Sequence, residues 1–319
     1  MKRIGILLIA LSLVACQDPR RADSRSARTN AVAPTMQGVF DNHEQVWSAR
    51  EAAPTGATPP HVVVSIDATS QADWTLWHIH LDSTPPIEAT WAMHSTALAD
   101  GTAVIVPHHA VVATPAAAPA FDAKQWTALD ACALRSVAHA SAGFQASADT
   151  AACIAIAPGI GADAALLPLA IEREGEWLHV RLYADQARGA NAREDARLVQ
   201  WFGGWAAING GGPKADSDSR DWHMNRGLRI GSEGGRFALA WRDGTVSGYS
   251  LMLERLTYRD RNVPVLKLSV VEDANGHTLA YSWANPEATR IGINIGWVQV
   301  GLDRDAGDVS PDAKSIGTP

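Results

Sequence analysis

The chain has 319 residues, with 27 Lys and Arg against 34 Asp and Glu for a net charge of −7. Such an acidic chain is a poor nucleic-acid binder, and none of its glycine-rich stretches has the strand-to-helix context or the Ser/Thr of a phosphate loop. Three cysteines and twelve tryptophans, the latter beside only five Phe and four Tyr, are its compositional marks.

Met1, Lys2 and Arg3 form a short basic region, residues 4–11 are apolar, and Leu13, Val14 and Ala15 lead into Cys16. This is the pattern of a secretory signal over 1–15 with a lipoprotein processing box, Cys16 being the lipid acceptor. The apolar run is too short to span a bilayer. Removal of the signal takes two cations and no acid, moving the net charge from −7 to −9. Gln17 after the cysteine resembles the sorting signal of an outer-membrane lipoprotein, so the expectation is a lipid-anchored chain on the periplasmic face of the envelope. Residues 16–35, rich in Arg, Ser, Asp and Ala, lack the apolar side chains to offset the entropy of ordering and read as a disordered tether.

From Met36 onward Val39, Phe40, Val46 and Trp47 suggest the apolar stripe of a first helix. His43-Glu44 begins a zinc-protease-like pattern, but Trp47 stands where its second histidine belongs. The runs 61–67, 74–81, 87–98 and 102–106 are β-branched and aromatic and are separated by turn residues, without long helical periods, which excludes βαβ units. Residues 110–120 are an Ala/Pro-rich loop, and 121–129 read as one or two helical turns leading to Cys132. Strands are expected over 133–139, 144–148 and 154–157, with Cys132 and Cys153 on this meander. Their separation of 21 suits a disulfide in an oxidising compartment. The rival readings are a metal pair or a reactive thiol, and no CxxC or clustered Cys/His spacing supports metal. A hairpin over 166–173 and 176–185 turns at Glu174-Gly175, and 198–208 reads as a closing strand bulged at Gly203-Gly204.

Gly38, Phe40, Asn42 and Gln45 in the first helix, the strands after it, Leu129 with Cys132, then Phe144 and Cys153 resemble the ordered landmarks of the CpcT/CpeT family, the T-type phycobiliprotein chromophore lyases. The resemblance covers about 36–208 and implies a calycin- or lipocalin-like antiparallel β-barrel over 36–213. It also implies binding of a linear tetrapyrrole or similar hydrophobic small molecule and, for a true lyase, its delivery to a cysteine of an apo-phycobiliprotein. Trp201 to Trp205 would match the family's late Trp/Gly strand. The chain departs from the family at 76–80 and 86–91, where an arginine able to pair with a propionate is missing. Trp77 and Trp91 are the expected pocket-lining side chains, with Asn42 and Gln45 as polar groups at its mouth.

Residues 214–303 exceed that family's extent and read as a second, smaller antiparallel β domain, with strands at 228–230, 236–241, 248–257, 263–271, 278–283 and 291–300. Arg242 to Thr245 and Asp273 to Gly276 are hairpin turns. Residues 304–319 read as a disordered tail.

Two functions follow. In one the chain is an envelope protein that binds a hydrophobic or tetrapyrrole-like ligand in its barrel, a bilin lyase if it is an enzyme at all. In the other it is a non-catalytic envelope module with a side-chain-filled barrel and a protein partner. An open apolar cavity favours the first, a packed interior with an exposed apolar patch the second. A metal at His78 and His80, two apart on one strand face, is a third reading. Glu172, Glu174 and Glu176 flank a turn and read as solvated. No Gly-x-Ser-x-Gly elbow is present.

Overall fold

A computed structural model describes residues 36–111, 120–136, 143–258 and 263–306. The signal, Cys16, the tether, most of the 110–120 loop and nearly all of the tail lie outside the described residues.

The first unit is mainly β, with two short α-helices. Its strands are β1 (Gly38–Asp41), β2 (Val62–Ala68), β3 (Trp74–Leu81), β4 (Ile87–Ala97), β5 (Ala103–Ala110), β6 (Trp126–Ala128), β7 (Leu134–Ser136), β8 (Phe144–Ser147), β9 (Pro168–Glu174), β10 (Trp177–Leu182) and β11 (Glu194–Leu198). Antiparallel pairing runs β4-β3-β2-β1-β11-β10-β9-β8-β7-β5, and pairing of β5 with β4 closes a ten-stranded barrel. Closure removes the open edges that a sheet otherwise exposes. β6 adds to the free end of β5 beyond β7.

Alternation aims one side chain in two at the barrel axis. Phe40, Val64, Ile79, Trp91, Ile105, Leu134, Ala146, Ile171, Val180 and Ala196, one from each strand of the closed barrel, belong to a single buried cluster. A smaller cluster of Trp74, Leu76, Ala92, Phe121 and Trp126 lies on the outside, where the segment carrying β6 covers β3 and β4.

The second unit is a sandwich. Its strands are β12 (Trp201–Asn209), β13 (Trp222–Gly231), β14 (Glu233–Ala240), β15 (Val246–Tyr258), β16 (Val263–Glu272), β17 (His277–Ala284), β18 (Arg290–Asn294) and β19 (Val298–Arg304). They form two four-stranded antiparallel sheets, β13-β12-β19-β18 and β14-β15-β16-β17. Phe202, Ile208, Leu228 and Val300 of one sheet and Leu251, Leu253, Leu268 and Val270 of the other share a core, as two facing sheets require.

Five expectations are corrected. Val39 and Phe40 lie on β1, and the first helix, α1 (His43–Ala52), starts only after Asn42. All four β1 residues are buried, so the strand shows no alternation, and its apolar pair merges with Val46 and Trp47 into a false helical stripe. Cys153 sits on a short helix, α2 (Thr150–Ile156), not a strand, because the Asp149 carboxylate caps it by accepting from the Ala151 and Ala152 amides. Residues 121–129 hold a single tight turn, Ala123–Gln125, followed by β6 rather than by more helix. The run 198–208 is not one closing strand: β11 closes the barrel against β1, and β12 begins the sandwich, so the second unit starts ahead of residue 214. The bulge foreseen there is real, with the register shifting between Gly204 and Trp205. The run 291–300 is split into β18 and β19 by a turn at Gly296, whose φ of 85° suits glycine.

Candidate functional site

Trp77 and Trp91 are direct cross-strand partners on β3 and β4. Both are essentially inaccessible, at 1% and 0% exposure, and both belong to the barrel core. Their polar handles are satisfied internally: the Trp77 indole N–H donates to Thr75 Oγ1 at 3.1 Å and that of Trp91 to the Leu166 carbonyl at 3.0 Å. Trp74, close to them in sequence, points the other way and joins the outer cluster, where His94 stacks on it at 4.5 Å. The interior is therefore occupied by aromatic side chains whose N–H groups are already used.

Asn42 is fully buried. Its amide nitrogen donates to Glu194 Oε2 at 2.7 Å, the Pro60 carbonyl at 2.9 Å and Gln45 Oε1 at 3.0 Å, and its oxygen accepts from the Val62 amide at 2.7 Å. Gln45 in turn donates to the Arg193 carbonyl and accepts from the Asp195 amide. Both residues tie α1 to β2 and β11. Glu194 carries the charge of this node and is also bonded by Arg188. Burial and the nearby Asp185 push its carboxyl up to about 7, against the pull of Arg188 and Asn42.

The outward face of β3 carries His78 and His80. His78 Nδ1 lies 2.9 Å from Thr90 Oγ1, and His80 is held between Glu88 at 3.0 Å and Asp82 at 2.8 Å. Asp82 also holds His61 at 2.6 Å, and Asp41 holds the other nitrogen of that ring at 2.7 Å. Burial disfavours the His61 cation, yet Asp41 and Asp82 outweigh it and raise the imidazole to about 9. Among the described residues no group of three or more His, Cys, Asp or Glu is placed to hold a metal. His61 and His80 thus sit against carboxylates, and His78 against a hydroxyl.

A groove of about 310 Å³ lies on the barrel surface, lined by Gln145, Glu172, His179, Arg181 and residues 190–193. Beside it His179 Nδ1 meets Asp195 Oδ1 at 2.5 Å, and Arg193 bonds both Asp195 and Glu172. Its lining includes no Ser, Thr or Cys that the imidazole could activate.

The polar constellation that sequence reasoning missed is the joint between barrel and sandwich. Glu233, fully buried, accepts from Arg255 Nε at 2.7 Å and from Arg197 Nε and Nη2 at 3.1 and 2.8 Å. Arg197 reaches Glu44 on α1 at 2.7 Å, while Arg255 reaches Glu176 at 2.7 Å and the Leu198 carbonyl at 2.6 Å. His43 Nε2 meets Glu254 at 3.0 Å, and Lys267 meets the same carboxylate at 3.3 Å. Gly234, at φ 77°, lies against the His43 ring so closely that a Cβ would stand 2.4 Å from Nδ1. The available signal was Glu254-Arg255 inside the otherwise apolar run 251–256, since charges in a buried strand need partners. The Gly231-Ser232-Glu233-Gly234-Gly235 stretch reads as a plain turn; in the fold it is the corner that carries Glu233 into the joint.

The disulfide expected from the cysteine spacing is present, joining Cys132 in a tight turn to Cys153 on α2 beside the barrel core.

Comparison of the chain with protein-family models, with curated proteins and with solved structures finds no match. The class is defined by the architecture alone: a closed antiparallel barrel with a buried side-chain core, fastened by buried ion pairs to a β-sandwich.

Proposed function

We propose that the chain is a non-catalytic interaction module, lipid-anchored through Cys16 at the periplasmic face of the outer membrane, whose barrel is a support rather than a container. The observation that carries this reading is the pairing of Trp77 with Trp91 in the barrel core, both indole N–H groups being bonded inside the protein. Asn42 and Gln45, the polar groups expected at a pocket mouth, spend their hydrogen bonds on Glu194, Val62, Arg193 and Asp195. The acidic charge of the chain makes nucleic acid a poor partner, and the basic, apolar, Ala15-Cys16 amino terminus supports an envelope protein as the better one.

The second reading is a carrier of a linear tetrapyrrole, as the CpcT/CpeT resemblance implies; the closed antiparallel barrel favours it. It requires Trp77 and Trp91 to leave the axis. Purification of the lipidated chain from its own membrane, followed by an absorption spectrum, native mass and titration with biliverdin and haem, separates the two. The interaction reading expects a bare mass and no saturable binding. Stoichiometric binding that weakens in a Trp91→Phe chain overturns it.

A further inference from the structure

Four strands of the barrel bring one polar side chain each to a single rung on its outer wall. Gln145 of β8 pairs with Glu172 of β9, Glu172 with His179 of β10, and His179 with Asp195 of β11. Within that rung the charges are matched: Arg193 takes Glu172 at 3.2 Å and Asp195 at 2.9 Å, and His179 takes Asp195 as well. The next rung differs. Arg181 of β10 pairs with Ala170 of β9, and both line the groove of about 310 Å³, the small alanine leaving the wall hollow beside a long cation.

Arg181 lies on the outer face, since Val180 and Leu182 on either side of it belong to the barrel core. Its Nε is buried and meets no acceptor among the described residues, while Glu172 and Asp195 are already held by Arg193. A buried guanidinium donor without a partner costs free energy. The register with β9 shifts just past Arg181, a bulge of the kind that re-aims a side chain beside a binding site. The facing wall is held in place by the protein itself. Residues 190–193 are pinned by the Ala192 amide on the Gly189 carbonyl and by the Arg193 ion pairs, so little ordering entropy opposes binding.

We infer that this groove binds a small monocarboxylate, its carboxylate seated on Arg181. A guanidinium offers Nε and Nη as the fork that a carboxylate accepts in parallel. The groove's two arginines are balanced by its two carboxylates, which leaves room for one negative charge and crowds a phosphate dianion. The carboxamides of Gln145 and Asn191 line the same groove and suit hydroxyl or amide groups on the rest of the ligand. The volume is at the lower end for small-molecule sites, which fits one sugar acid or one N-acylated amino acid. The inference goes beyond the interaction reading and concerns the outer wall, so it stands or falls apart from what fills the barrel.

The test is saturation-transfer NMR on the full lipidated chain in non-ionic detergent, titrated separately with D-glucuronate, N-acetyl-alanine, glucose and methyl phosphate. The expected result is saturable binding of at least one of the two carboxylates with a Kd of about 1 mM, the range for ligands of this size, and none of glucose. Saturation by glucuronate alone assigns a sugar acid, and by N-acetyl-alanine alone an acyl amino acid. Arg181→Gln is expected to weaken binding about tenfold or more. Ala170→Leu, which fills the hollow from outside while Leu169 and Ile171 keep their places in the core, is expected to abolish it. Arg290→Gln, an exposed cation elsewhere, is expected to leave it unchanged. Melting curves establish that each variant is folded. No saturable carboxylate, methyl phosphate bound as tightly as the carboxylates, or a Kd unchanged in either folded groove variant overturns the inference.

Discussion

Arg255 and Glu233 meet at 2.7 Å with side-chain exposures of 1% and 0%, one from β15 and the other from the corner that opens β14. Neither is solvated, and Arg197 of the barrel shares the same carboxylate. Removing one member of such a group strands the others in a medium that disfavours bare charge. Glu233→Ala is expected to destabilise the fold by about 3–5 kcal/mol, measured as a shift in the urea midpoint followed by far-ultraviolet dichroism. A chain as stable as the parent would sink the idea that this cluster fastens the two units.

Two titrations act with the same sign in neighbouring pH windows. His61 is raised from 6.5 to about 9, so its contribution is fully present below pH 6.5 and is lost as pH rises through about 9. Glu194 is raised from 4.5 to about 7, so the native state holds its proton longer than the unfolded chain, and stability falls as pH rises from 4.5 to 7. Urea midpoints across pH 4–10 are expected to flatten in the alkaline window for His61→Gln and in the acid window for Glu194→Gln. Unchanged slopes in both variants would remove these groups from the pH dependence.

The Cys132–Cys153 bridge closes a loop of 21 residues. In the chain-entropy account such a crosslink contributes about 3 kcal/mol. A Cys132→Ala, Cys153→Ala chain is therefore expected to melt several degrees lower, and reductant is expected to lower the parent's melting temperature but not the variant's.

Trp91, at 0% exposure, packs in the barrel core beside its cross-strand neighbour Trp77. Trp91→Ala leaves a cavity and an unbonded Leu166 carbonyl, with an expected loss of about 3–5 kcal/mol. Calorimetry checks this; a loss below ~1 kcal/mol would mean that the axis is not packed around the indole.

The early barrel was legible because β2, β3 and β4 are long and turn a continuous apolar row inward: Val62, Val64 and Ile66, then Trp77, Ile79 and Leu81, then Ala89, Trp91 and Met93. The hairpin at Gly175 was legible from turn chemistry, φ there being 54°. β1 was not, because it is buried on both faces and carries no period. The Cys153 helix was hidden in an Ala-rich stretch whose one signal is the Asp149 cap. The partition at Val199 and Gln200 could not be seen locally: β11 and β12 are both good strands, and only their partners, β1 and β10 for one, β13 and β19 for the other, say which sheet each joins. Trp77 and Trp91 were expected to line a pocket and lie in the buried barrel cluster, but composition does not tell a lining from a filling. That depends on where each N–H ends, at Thr75 Oγ1 and the Leu166 carbonyl.

The contact between His43 on α1 and Glu254 on β15 spans 211 positions of chain. During vectorial synthesis α1 emerges long before the strand it must dock on, so Val46, Trp47 and their neighbours wait without their final covering. Joining such distant positions carries a large loop-closure cost before any reward, which makes the last docking step slow. The same stitch makes dissolution collective: a barrel whose first helix is clasped by the far unit cannot loosen alone, and the two architectures are bound to melt together.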